Sequence, residues 1–488
     1  MCAWWHKFIP GCKAPPSKAE SEPAAPRAKA KECPTRRVTI GLDFGTSTSK
    51  CCFREEAEGR SLVVLAHDAP SDEASQVLWP TSAAIEDGAF VFGYEAETAQ
   101  SAGIVRSFKM CLLCQAQAAA KSASTDGDPC PNCMVTRPGH LRLGDRELSA
   151  EQISTLYLAV VLGAAKQKVL RALGAKPEEV RFVVNSAAPL DQMSEFGEVG
   201  EHFENVLYYA SMLADCARQH WPVDEAIAAL RRVRGVLRPP VAESPTRIFP
   251  ETHAAMTAYL LLPESDPGLY GLVDIGAGTS DVAFFWLQKG EGGTTAWYYS
   301  AGSTRVGMDD VDQALMKPLG VATCHARAAR EALDADEVRS HRDLIKPIAD
   351  KVYRHKAGVL DQAMQLDQRP RAWYCNGRAK YKLFLVGGGS MCAPMTERME
   401  SQPPRHMAAW EEPPATLSIP NRTRVLLPSG ESVPLGSLRE QHAARLLLLA
   451  CGLSYRRPDI PKYERDAEGV HAKVTERELP VEFTGQWW

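Results

Sequence analysis

With 488 residues, 45% of them hydrophobic and 24% charged, the chain has an ordinary globular composition and is long enough for two or more lobes. A net charge of −4 argues against a nucleic-acid partner. No apolar run approaches the roughly 20 residues of a membrane span, so no membrane partner is expected.

Residues 1–37 read as a flexible arm, with six prolines, seven alanines, and eight Lys/Arg against three Glu. Its tip carries Trp4 and Trp5, and aromatics at the end of such an arm suggest a docking peptide. Cys2, His6 and Cys12 match no metal-binding pattern. The arm has no apolar h-region or cleavage site, so no export signal is expected. Fourteen cysteines in such a chain imply a reducing, cytoplasmic compartment, with thiols reduced or on metal.

The first lobe is expected over 38–250. An apolar run at 38–42 predicts a strand that enters Asp43-Phe44-Gly45-Thr46-Ser47-Thr48-Ser49. Cys51 and Cys52 fill the following strand rather than do chemistry. Ser149-Ala150-Glu151-Gln152 is a capping-box pattern, with Leu148 and Ile153 placed as a hydrophobic staple. It starts a helix to about Ala172, stopped by Gly174 and Pro177, and the apolar run 156–165 is its buried face. A strand over 180–184 follows, then helices near 201–217 and 224–234. Pro239, Pro240 and Pro245 mark a break.

The second lobe is expected over 251–455. Leu272 and Val273 lead into Asp274-Ile275-Gly276-Ala277-Gly278-Thr279-Ser280-Asp281. A long helix is predicted around 341–363, and a buried strand at 383–386 runs into Gly387-Gly388-Gly389-Ser390. The stretch 407–436 is proline-rich and irregular, with a hairpin-like Pro428-Ser429-Gly430. An apolar helix at 439–451 closes the lobe. Residues 456–488 form a polar tail that carries Trp487 and Trp488.

A cysteine insert, 110–135, interrupts the first lobe. Cys111 and Cys114 are followed, after fifteen residues, by Cys130 and Cys133. Two C-x2-C pairs at this spacing fit a zinc ribbon, each pair offering two thiolates from one tight turn. Four thiolates make a tetrahedral structural Zn²⁺ site with no open position. Unrelated thiols, an iron–sulfur cluster or a redox dithiol are the alternatives. Losing this zinc is expected to leave the surrounding lobes intact.

The stretches at Asp43 and Asp274, 231 residues apart, read alike: apolar run, Asp, glycine turn, hydroxyls, strand. Glycine lets backbone N–H groups approach phosphate oxygens, and the hydroxyls add donors. The carboxylates cannot bind phosphate directly, so they hold Mg²⁺ and its waters. Isolated turn aspartates would not explain the repeat. A buried strand ending in three glycines suits an adenine or ribose passing close to backbone. Neither a Walker GxxxxGK[ST] loop nor a dinucleotide GxGxxG is present.

These three glycine elements, in this order, resemble the superfamily of actin, sugar kinases and DnaK-type heat-shock chaperones. The chain is most similar to the nucleotide-binding domain of the DnaK-type chaperones. Ser107-Phe108-Lys109 lies where that family carries its catalytic lysine. Phe182-Val183-Val184-Asn185-Ser186-Ala187-Ala188-Pro189, Phe249-Pro250-Glu251-Thr252-His253-Ala254-Ala255 and Val306-Gly307-Met308-Asp309-Asp310-Val311-Asp312 resemble three further family segments. The resemblance covers roughly 38–455. It implies an α/β, two-lobed actin-like ATPase fold of duplicated ribonuclease-H-like domains, with a nucleotide cleft between the lobes and here a zinc-ribbon insertion.

The resemblance also implies ATP/ADP and Mg²⁺ as ligands. Asp43, Asp274 and Asp281 match the family's Mg²⁺-water carboxylates. Gly45, Thr46, Ser47, Gly276, Gly278 and Thr279 are the phosphate-loop residues, and Gly387, Gly388, Gly389 and Ser390 the adenosine side. Lys109 neutralises the γ-phosphate, and Glu251 orients the attacking water. The blander readings are a surface lysine and a helix-start glutamate. The adenine-stacking residues fall within 341–363, with Lys351, Arg354 and Lys356 the candidates. The insert replaces part of a small mobile subdomain of the family, which leaves open whether that family's exchange factors act here.

In these chaperones a β-sandwich peptide domain and a helical lid follow the nucleotide domain. Only residues 456–488 remain here, too few for a sandwich of about 100 residues. The expected function is a chaperone-like, slowly hydrolysing ATPase switch that acts on protein partners in trans. Trp4, Trp5, Trp487 and Trp488 would dock those partners or fold back on the lobes. An actin-like filament ATPase, which the insert and tails would obstruct, is one alternative. A small-molecule kinase, for which no acceptor base is evident, and a nucleotide-binding scaffold without turnover are the others.

Overall fold

The computed structural model describes residues 36–57, 61–64, 77–100, 103–119, 133, 138–189, 196–239, 243–261, 265–290, 293–321, 326–327, 329–330, 333–366, 381–400, 415–416, 424–426, 432–434 and 446–464. Outside these lie the arm to Thr35 with Trp4 and Trp5, Cys130, most of 407–436, the start of the expected 439–451 helix, and the tail with Trp487 and Trp488. The chain divides into Met1–Thr35 and Arg36–Trp488.

The fold is α/β with mixed sheets. The first sheet contains β1 (Arg36–Asp43), β2 (Thr48–Glu55), β3 (Ser61–Val64), β4 (Val180–Ala188) and β5 (Thr246–Pro250), in the order β5-β4-β1-β2-β3. The second contains β6 (Gly268–Ile275), β7 (Ser280–Gly290), β8 (Gly293–Thr304), β9 (Lys382–Val386) and β10 (Ala415–Thr416), in the order β10-β9-β6-β7-β8. The two orders are the same. In each, the first strand pairs antiparallel with the second and parallel with the fourth. The second and third pair antiparallel, the fourth and fifth parallel. Each sheet then gains an edge from late in the chain. The hairpin of β11 (Arg424–Leu426) and β12 (Ser432–Pro434) joins β3, and β13 (Lys462–Glu464) joins β8. The hairpin expected around Pro428 thus forms, its turn lying outside the described residues.

Central strands here are buried on both faces, so they read as continuous rather than alternating apolar runs. In β1, residues 38–43 are all buried. β4 runs beyond the expected 180–184 to Ala188, through polar Asn185 and Ser186. Both are satisfied internally: Asn185 Nδ2 donates to the Leu453 carbonyl (2.9 Å) and Ser186 Oγ to that of Leu42 (2.7 Å).

The helices that matter for the site, among those described, are α1 (Phe108–Ala119), α2 (Ala150–Leu173), α3 (Phe196–Leu213), α4 (Glu251–Leu260), α5 (Met308–Leu319), α6 (Arg342–Leu366) and α7 (Leu448–Leu453). The capping box at α2 forms as expected, with Gln152 N donating to Ser149 Oγ and Ser149 N to Gln152 Oε1. Gly174 ends the helix in the left-handed conformation. α2 is long and apolar enough to cross a membrane, but it is mostly buried and its 153–162 stretch packs in the core of the first sheet. α7 wedges between sheet and helix. A Cβ on Gly41 of β1 would lie 2.2 Å from the Ala450 carbonyl, and one on Gly452 would lie 2.0 Å from that of Ala254 in α4. Backbone meets backbone at both points, which fixes α4 against the first sheet.

Candidate functional site

The two Asp–glycine turns end equivalent strands. In the first, β1 and β2 pair Asp43 with Lys50; in the second, β6 and β7 pair Asp274 with Asp281. The second turn is closed by Gly276 N donating to the Thr279 carbonyl (2.9 Å). The turns approach closely: a Cβ on Gly278 would lie 3.0 Å from Thr46 Cγ2 and 2.9 Å from the Met110 side chain.

Lys109 reaches this place because the first turn is braced to the start of α1. Thr81 Oγ1 donates to the Gly45 carbonyl (2.8 Å), Thr81 N to that of Ser47 (2.9 Å), and Ser107 N to that of Thr81 (3.0 Å). Ser107 takes a left-handed φ of 54°, uncommon for a residue with a side chain, immediately before the helix begins. Lys109 Nζ then donates to Glu251 Oε1, at the first residue of α4. Both side chains are buried.

A cavity of about 520 Å³ opens over these groups. Its lining includes Asp43, Gly45, Thr46, Ser47, Lys109, Glu251, Asp274, Gly276, Thr279, Asp281, Gly387 and Gly388, twelve residues singled out in the sequence. Three others do not line it. Gly278 is at the contact between the turns, Gly389 packs on Ile275, and Ser390 Oγ donates to the Gly387 carbonyl (2.7 Å). The sequence reading missed Lys50, whose Nζ donates to Asp43 Oδ2 at 2.9 Å. A signal existed: Lys50 follows Asp43 at the interval by which Asp281 follows Asp274.

The far wall differs from expectation. Lys351, Arg354 and Lys356 of α6 do not line the cavity. α6 packs as a core helix on the second sheet, and Lys356 is buried within it, its Nζ 5.5 Å from the centroid of the Tyr353 ring. The cations on this wall are Arg327 and Arg330, beside Asp309, Asp312, Leu333 and Val338. Arg330 Nε donates to Asp312 Oδ1.

Electrostatics mark Asp274. Burial, then Glu251 and Asp43, push its carboxyl up to about 7, against the pull of Lys50 and Lys109. Burial works against the Lys109 ammonium, yet Glu251, then Asp43, hold it above its ordinary value. Asp309 is pushed up to about 6 by burial and by Asp312. Thr279 Oγ1 donates to Asp281 Oδ2 (3.2 Å).

Gly387 has φ 77° and ψ 172°, and a Cβ there would lie 2.2 Å from Asp274 Oδ1. Gly387→Ala should therefore lower stability by ~3 kcal/mol or more, the conformation alone costing 1–3. Gly388→Ala, whose Cβ would meet only Leu446 at 3.9 Å, should cost far less. Calorimetric melting of the two variants checks this; equal Tm values would refute it.

The cysteines are placed differently from a knuckle. Cys111 and Cys114 lie one turn apart on α1, both buried, because Met110 to Ala119 contains good helix formers and no Gly or Pro. Cys133 is buried, and Gly139 N donates to its Sγ at 3.3 Å. Cys130 lies outside the described residues. Among those described, no group of three His, Cys, Asp or Glu side chains is arranged to hold a metal ion. No protein-family model matches this chain, and no curated protein matches it.

Proposed function

We propose that the chain is a Mg-ATP-binding, slowly hydrolysing conformational switch of the two-lobed, actin-like kind, acting on partner proteins in the cytoplasm. One observation carries the reading. Two Asp–glycine hairpins in the same register, from two sheets of the same strand order, meet at one cavity with the buried Lys109–Glu251 pair.

Among the described residues the carboxylates are not gathered closely enough to ligate a metal ion directly, so a divalent cation would be held through its waters. Four buried carboxylates, Asp43, Glu251, Asp274 and Asp281, share the cavity with two buried ammonium groups, Lys50 and Lys109. Burial first, and then the Glu251 and Asp43 charges, raise the Asp274 carboxyl. Asp43 and Asp274 would hold Mg²⁺ through its waters, with Asp281 beside them; the cation would supply charge neutralisation for the phosphates. Backbone N–H groups and hydroxyls of the two turns receive the phosphates. Lys109 offsets charge on the transferred phosphoryl group, and Glu251 accepts a hydrogen bond from the attacking water. Cys111, Cys114, Cys130 and Cys133 hold a structural zinc in this reading. Trp4, Trp5, Trp487 and Trp488 are docking elements for a partner.

Titration calorimetry and phosphate release test it together. Mg-ATP should bind once per chain and turn over slowly. Asp274→Asn should cut turnover by about 10²-fold and affinity far less. At pH 7 a carboxyl with a pKa of about 7 is half-protonated, and the cation favours its ionised form. Binding should then release a fraction of a proton, seen as enthalpies that vary with the ionisation heat of the buffer and cease to vary in Asp274→Asn. In the ligand-free protein the native state keeps a proton that the unfolded chain, titrating at 3.8, has lost. This group's contribution to stability should therefore fall as pH rises from about 4 to about 7. Absence of any binding heat for Mg-ATP would sink the reading.

A further inference from the structure

α4 begins with Glu251, and two residues later comes His253, with no solvent exposure. Its Nε2 lies 2.8 Å from the Pro461 carbonyl oxygen, which can only accept, so Nε2 carries the hydrogen. Nδ1 is then an acceptor, and the Tyr298 hydroxyl donates to it at 3.1 Å. Burial pushes the imidazole down to about 4, the Pro461 contact opposing, so the ring is neutral near pH 7.

These two bonds have different owners. Tyr298 belongs to β8 of the second sheet. Pro461 directly precedes β13, which pairs with the same strand through Thr295 and Lys462. Glu251 itself follows β5, a strand of the first sheet. The first turn of α4 is thus held to the first sheet at Glu251 and to the second sheet and β13 at His253. Thr257 Oγ1 donates to the His253 carbonyl (2.8 Å) one turn on, continuing the tie along the helix.

We infer that His253 is a positioning residue for Glu251, through which the docked strand β13 and the second sheet set the Glu251 carboxylate against Lys109. The inference rests on the reading of Glu251 and Lys109 as site residues. His253 does not line the cavity, so it acts only through the helix.

The test uses the full chain and an amine acylating reagent, with mass spectrometry reporting modification at each lysine. Lys109 is protected by burial and its pairing with Glu251. Lys356, buried in the core around α6, reports general loosening. His253→Phe keeps ring volume and removes both hydrogen bonds; Tyr298→Phe removes one; His253→Gln keeps a donor and an acceptor. Losing a hydrogen bond of ordinary net worth corresponds to about tenfold. Lys109 should acylate about tenfold faster in His253→Phe and several-fold faster in Tyr298→Phe, with Lys356 unchanged and His253→Gln close to wild type. The same variants should lower kcat for ATP with KM little changed. Unchanged Lys109 protection overturns the inference. A parallel rise at Lys109 and Lys356 overturns it too, because His253 would then serve only general stability. Failure of the wild-type protein to bind ATP would instead overturn the proposed function, and the acylation pattern would still decide the role of His253.

Discussion

Replacing Lys109 with Met should cut ATP turnover by about 10²–10³-fold and also destabilise the protein by ~3 kcal/mol, two effects that a second substitution separates. Lys109 and Glu251 are 4% and 7% exposed, so the methionine leaves a carboxylate buried without its cation. That uncompensated group, rather than the lost attraction, dominates the stability cost. Adding Glu251→Gln removes the charge and should restore most of the denaturant midpoint. It should not restore turnover, because the charge facing the phosphoryl group stays absent. Single-turnover phosphate release and urea unfolding on the single and double variants provide the readouts. Wild-type turnover in Lys109→Met would remove Lys109 from the mechanism. A double variant no more stable than the single one would show that the pair's burial was not the source of the cost.

How much of this site was legible in the sequence depends on whether the signal is local. Each Asp–glycine turn is written in consecutive residues, an apolar strand feeding a glycine turn, and the structure places Asp43 and Asp274 at equivalent strand ends. The α2 boundaries were legible for the same reason, since Ser149, Gln152 and Gly174 act within one turn of the helix ends. Lys50 was missed because the interval that matches it to Asp281 gains meaning only when the strand register puts it opposite Asp43. Arg327 and Arg330 carry no local pattern, and their approach to the cavity is set by tertiary packing of a segment that follows α5. The return of 424–434 to the first sheet is likewise nonlocal, pairing Leu62 with Arg424 across the length of the chain. The C-x2-C at Cys111 is ambiguous in a different way. The motif reports spacing, and a helix satisfies the same spacing as a knuckle, with both thiols on one face.

That helix alters what zinc removal should do. If the metal sat on a detached ribbon, losing it would unfold the ribbon and leave the cavity and its lining intact. Instead, Cys111 and Cys114 share α1 with Lys109, two residues before the first of them. A Cβ on Gly139, whose N–H meets Cys133 Sγ, would fall 2.3 Å from Gln115 Cβ, so Gly139 packs directly on the same helix and ties Cys133 to it. Purified protein should contain one zinc per chain by elemental analysis, lost in Cys130→Ser and in Cys133→Ser. A structural zinc site contributes on the order of 10 kcal/mol to local folding. Only part of that needs to reach α1 to shift Lys109 by the distance at which charge neutralisation fails, since a misplacement of about 1 Å costs on the order of 10² in rate. Chelation should therefore lower turnover by about tenfold or more while ATP affinity changes little. New protease cuts should appear between 115 and 138. Protein purified from zinc-replete cells with no zinc would end the proposal. Zinc loss with full turnover would show that α1 holds Lys109 in place without it.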